Sequence, residues 1–129
     1  STVDTLNALA SPAFTVWKTN VTRKEILQNG FDWTRLDNLS VGKARIWSDI
    51  FVEGALNASK TNVRAGIDAT WVGTQADLDV RAAVYVHCKR SATVLEKLFA
   101  TGTGSVASPA TMAAEGPITL QELEKAGNL

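Results

Sequence analysis

Residues 74–90 read TQADLDVRAAVYVHCKR, and no other stretch restricts the fold as tightly. Thr74, with Asp77 three residues on, is the signature of a capping box, so a helix starts here and runs for about four and a half turns. Leu78, Ala82, Tyr85 and Val86 share one face at helical spacing, while Val80, Val84 and Cys88 form a second stripe almost opposite. A helix that is apolar on two sides is normally held between neighbours. The stretch is therefore expected to be the central strut of an all-α domain.

The rest of the chain supplies those neighbours. In residues 1–10, Val3, Leu6 and Leu9 mark a short amphipathic helix that Ser11-Pro12 ends. Residues 11–21 form an extended or irregular N-terminal arm carrying Phe14, Val16, Trp17 and Val21. Thr22 and Glu25 make a capping box into EILQN, with Gly30 as the stop. Residues 31–39 read as one helical turn and a loop. Ser40 caps a helix over 41–53, apolar along Val41, Ala44, Trp47, Ile50 and Phe51 and ended by Gly54. Thr61 or Asn62 caps a third helix with Val63, Ile67 and Trp71 inward. Only Gly73-Thr74 separates it from the central helix, as in a helical hairpin or sharp corner. Thr93, with Glu96 three residues later, opens a further short helix. The expected core is built from helices at 41–53, 63–72 and 75–90, with Trp47, Ile50, Ile67, Trp71, Leu78, Ala82 and Tyr85 inside.

At Thr101 the composition changes. Residues 101–117, TGTGSVASPATMAAEGP, are small and polar, lack aromatic side chains and hold three of the nine glycines. They read as a flexible or partner-ordered loop. Thr119 and Glu122 then form another capping box, opening a short helix with Ile118, Leu120 and Leu123 as its apolar residues. A helix that short is marginal alone in water, so it suits a groove on a partner; the alternative is that it folds back over its own domain. Glu115, Glu122 and Glu124 against Lys125 favour a basic partner surface. The expected organisation is a helical-bundle domain over 1–100, including the arm, and a partner-binding extension over 101–129.

Charge and chemistry narrow the function. Lys plus Arg equal Asp plus Glu at 13 each, with the signs interspersed, so the basic excess of a nucleic-acid binder is missing. No apolar run approaches the ~20 residues of a spanning helix. Cys88 is the one cysteine, which precludes an internal disulfide and a cysteine-based zinc site. With residues 1–10 lacking a signal-peptide pattern, a reducing cytoplasm is the expected place of synthesis. His87 and Cys88 are adjacent, but neighbours on a helix diverge by about 100° and do not face each other. His87, Lys89 and Arg90 form a local basic cluster at a helix end, where the dipole favours cations. Gly102-Thr-Gly104-Ser follows a helix rather than a strand and has no downstream Gly-Lys-Ser/Thr, so it fails as a phosphate loop. Asp77 and Asp79 point to different sides of their helix and make no carboxylate pair. No catalytic, cofactor-binding or metal-ligating residues are expected. Trp17 and Trp33 lie outside the strong helices and are the tryptophans expected at an interface. With Ile118, Leu120, Glu122 and Leu123 they make up the expected partner-binding set.

Several runs together resemble small structural-module proteins of tailed bacteriophages and prophages. They are Phe14-Thr-Val-Trp17-Lys-Thr, Val41-Gly-Lys-Ala-Arg-Ile-Trp47, Asn62-Val-Arg-Ala-Gly-Ile-Asp68, Leu98-Phe-Ala-Thr-Gly-Thr-Gly104 and Ser108-Pro-Ala-Thr-Met112. Within that setting, a short helical protein with a long C-terminal extension is similar to the head–tail connector (adaptor) class. The resemblance implies a non-enzymatic virion subunit without cofactors, assembled in the host cytoplasm. Its implied partners are copies of itself in a ring beneath the portal, and portal-like and tail-proximal proteins. Another neck or minor tail component, or a small intracellular protein-binding module, is the alternative.

Overall fold

The computed structural model describes residues 1–122. In chain order its elements are α1 (Thr2–Asn7), β1 (Thr15–Trp17), β2 (Val21–Thr22), α2 (Arg23–Leu27), α3 (Trp33–Asp37), α4 (Val41–Asp49), β3 (Ala55–Leu56), α5 (Thr61–Thr70), α6 (Gln75–His87), β4 (Lys89–Ser91) and α7 (Val94–Leu98). Local side-chain chemistry starts most of the helices. Ser1, Thr22, Thr74 and Thr93 each accept a backbone N–H while the acid three residues on returns the bond, giving reciprocal caps on α1, α2, α6 and α7. Asp32 and Ser40 cap α3 and α4 with side-chain oxygens. Each such cap is worth about 1 kcal/mol.

The all-α expectation is overturned. Strand makes up 13% of the structure beside 46% helix, in two small antiparallel sheets. The arm supplies one strand of each: Thr15, Val16 and Trp17 of β1 lie opposite Ser91, Arg90 and Lys89 of β4, and Val21 and Thr22 of β2 lie opposite Leu56 and Ala55 of β3. Strands of two or three residues are too short to show alternation, and β1 meets a partner far away in sequence. β4 occupies residues expected to end the central helix, which stops at His87.

The chain divides into two compact units, Ser1–Trp17 with the chain from Lys89 on, and Lys18–Cys88. The second unit holds an aromatic core. Trp47 packs edge-on to Trp71 and Phe51 at ring-centroid distances of 5.2 and 5.0 Å and stacks on Phe31 at 6.1 Å. Val21, Ile26, Leu56, Ile67, Val80 and Val84 complete it. Of the expected core, Trp47, Ile67 and Trp71 are buried and Ile50, Leu78 and Tyr85 half-buried, but Ala82 is exposed. Helix α6 is not sandwiched: only its Val80, Val84 and Cys88 stripe is buried, and Val86 is 71% exposed. Tyr85 is tied down at its polar end, donating to Asp68 Oδ1 at 2.7 Å with the Arg64 carbonyl at 3.2 Å.

The helix expected over 41–53 ends at Asp49. Val52 and Ala55 exchange backbone hydrogen bonds of 2.8 and 3.1 Å around Glu53 and Gly54, both with positive φ (54° and 82°). That two-residue turn needs the left-handed region twice, which a continuing helix does not permit. It delivers β3 to β2.

In the first unit a small core of Val16, Ala92 and Ala110 is packed by Phe14, Ala100 and Met112. The segment expected to be a flexible loop from Thr101 is threaded through it. Ala110 flanks β1 on the side away from β4, with its N–H donating to the Thr15 carbonyl and its carbonyl accepting from Trp17 N–H, both at 3.0 Å. Thr101 and Thr111 exchange a pair of 2.9 Å bonds. The glycine run has a packing explanation: Gly104 has a φ of 80°, and a Cβ there would lie 2.1 Å from the Phe14 ring.

Candidate functional site

Of the residues weighed for chemistry in the sequence, Lys89 and Arg90 have clear structural partners. Cys88 is fully buried and His87 half-buried. Lys89 Nζ stands 5.6 Å from the half-buried Trp17 ring and donates to the Val106 carbonyl at 2.7 Å. Arg90 forms the second member of a bidentate ion pair. Its Nη1 and Nη2 donate to Glu96 Oε1 and Oε2 at 2.8 and 2.7 Å, and Nη2 also lies 3.5 Å from Glu115 Oε1. Within this cluster Arg90 is neutralised by carboxylates, while Lys89 is held by a carbonyl and an aromatic ring.

Glu96 is the centre of this arrangement and is 1% exposed. Besides Arg90, it accepts the Thr93 N–H at Oε1 and the Gly116 N–H at Oε2, each at 2.9 Å. A carboxylate removed from water is costly unless fully hydrogen-bonded, and four donors meet that need. The Arg90 hydrogen bonds are the largest cause holding its carboxyl down at about 2, with the two backbone donors adding to them against burial. Arg90 is in turn raised above its ordinary value by the same bonds. A second partly buried carboxylate, Glu25, is pushed up by burial but more than compensated by Lys18 Nζ at 2.7 Å and by Thr22, so it lies below the usual range. Tyr85 is raised by burial and by its bond to Asp68.

The Glu96–Gly116 bond also fixes the route of the chain toward its last described residues. Asn7 completes the fixing: its Nδ2 donates to the Ile118 carbonyl at 2.9 Å and its Oδ1 accepts the Ile118 N–H at 2.8 Å. Ile118 is half-buried, while Leu120 and Glu122 are exposed on the turn that follows. Thr119 and Glu122 make the expected capping box, with Thr119 Oγ1 donating to Glu122 Oε1 at 3.0 Å and accepting the Glu122 N–H at 3.1 Å. Leu123, Glu124 and Lys125 lie outside the described residues.

An exposed apolar strip of the second unit lies on α3 and the start of α4. Trp33 and Leu36 lie three apart on α3, and Leu39, Val41 and Ala44 continue the strip into a shallow groove with Asp37 at its edge. Trp33 is 57% exposed and Val41 85%. Trp33 is nevertheless held in place, its ring edge-on to Phe31 with centroids 5.2 Å apart. An aromatic side chain braced on one side and open on the other is the form that interface anchors take. Sequence reasoning singled out Trp33 but missed its company: Leu36, Leu39 and Val41 are drawn together by a sharp junction between two helices that periodicity within either does not reveal.

Among the described residues no group of three His, Cys, Asp or Glu side chains is placed to hold a metal ion, and no helix is long and apolar enough to cross a membrane. Comparison with protein families, with curated proteins and with solved structures finds no match to this chain.

Proposed function

We propose that the chain is a non-catalytic virion structural protein, a head–tail connector subunit that meets copies of itself in a ring between portal and tail. The observation that carries a docking role is the strip at Trp33, Leu36, Leu39 and Val41, which exposes a braced indole and a largely exposed valine on one groove. Support for the virion setting comes from the phage-like runs, not from helix content.

Val41→Asp tests the reading with little risk to the fold. Val41 opens α4, where an acid is favourable to the helix dipole, so stability should stay within about 0.5 kcal/mol of the parent. The expected result is a folded protein that no longer forms rings or enters particles, measured by light scattering and by electron microscopy of assembled heads and tails. Incorporation of Val41→Asp at the parental level would reject this surface as the contact.

A further inference from the structure

The second unit also contains a small cleft of about 200 Å³, the scale of a single side chain rather than of a larger ligand, between α6 and the chain from α2 to the start of α3. Its floor is apolar, made by the buried Ile26, Val80 and Val84. Phe31 forms one wall and is anchored by Trp47 and Trp71 of the aromatic core and by the surface Trp33, with centroids 6.1, 5.9 and 5.2 Å away. Two exposed carboxylates line it from opposite sides: Asp32 from the loop and Asp79 from α6. Asn29 and His87 are the other polar side chains there, and among the described residues no Lys or Arg lines the cleft. His87 follows Asp79 by two helical turns, about 12 Å along α6, so the opening is elongated.

Neither carboxylate is neutralised by the protein. Asp32 Oδ1 accepts the Arg35 N–H at 3.4 Å, and Asp79 Oδ1 accepts from Gln75 Nε2 at 2.9 Å. Among the described residues no ion pair includes either of them. An apolar floor, a fixed aromatic wall and two available carboxylates are complementary to one side chain above others. Arginine combines an aliphatic stem, a flat cation that stacks on aromatic rings, and five donors able to serve two carboxylates at once. We infer that this cleft receives an arginine side chain presented by a partner protein. The inference does not depend on the virion reading, since it would hold for any protein that this chain docks.

The probe is the capped tripeptide Ala-Arg-Ala, with its citrulline analogue as a neutral control of the same shape, titrated into the full chain. Methyl NMR of Ile26, Val80 and Val84 reports occupancy directly. The expected result is saturable shifts of those three methyls with the arginine peptide and roughly tenfold weaker binding of the citrulline one, the discrimination two exposed carboxylates can supply. Asp79→Asn and Asp32→Asn should each weaken the arginine peptide several-fold, and asparagine still caps α3, so the fold is kept. Equal binding of the two peptides, absence of saturable shifts, or parental binding by the folded double Asn variant would each overturn the inference.

Discussion

Replacing Glu96 by Gln removes one charge and leaves the side-chain shape nearly unchanged. In the parent, Glu96 serves four donors: two from Arg90 and the N–H groups of Thr93 and Gly116. Gln has one acceptor oxygen, and its amide nitrogen turns a donor toward donors. The folded state holds the Glu96 carboxyl at about 2 against an ordinary 4.5. At 1.36 kcal/mol per pH unit, that difference is worth about 3 kcal/mol at neutral pH. The cost of leaving Arg90 partly unpaired is of the same order. Glu96→Gln is therefore expected to lower stability at pH 7 by about 3 kcal/mol, or roughly 1–2 M in urea midpoint. The pH profile is the sharper readout. Because the folded-state value is depressed, the contribution is complete above about 4.5 and lost as pH falls toward 2. Parent protein should weaken steeply across that window, whereas the variant should do so only through its other carboxylates, Glu25 among them. Hydrogen exchange should show loss of protection at the Gly116 and Ile118 amides at the same time. A variant less than 1 kcal/mol destabilised, with the parental acid profile, would refute the assignment of Glu96 as the group that holds Arg90 and the Gly116 N–H.

Two further outcomes follow from the cores. Trp71 is fully buried and its indole Nε1 has no hydrogen-bond partner among the described residues, so Trp71→Phe should cost about 1–2 kcal/mol by denaturant titration, clearly less than the 3–5 kcal/mol of Trp71→Ala. Equal costs would mean that the ring contacts with Trp47 and Phe31 contribute little. Gly104→Ala should destabilise by about 2–3 kcal/mol, since the methyl meets the Phe14 ring and the backbone is left-handed. A thermal midpoint equal to the parent's would show that residues 101–111 do not pack on Phe14 in solution.

What the sequence determined by itself was whatever is settled within one helical turn. Thr22, Thr74, Thr93 and Thr119 each precede an acid by three residues, and each pair forms its cap because donor and acceptor are held together by local geometry alone. The buried Trp47, Ile67 and Trp71 were legible for the same reason, from spacing along single helices. Tertiary structure decided what depends on distant chain. Val16 became a strand residue because Arg90 and Ala110, both more than seventy residues away, supply bonds on its two sides. Of the two apolar stripes on α6, packing buried Val80, Val84 and Cys88 and left Val86 in solvent, a choice that periodicity cannot make when both faces are apolar. Residues 101–118 look unstructured by composition, since they carry little apolar surface. They are held instead by Glu96, Asn7 and the edge of β1, through backbone hydrogen bonds that no side-chain pattern in the segment records.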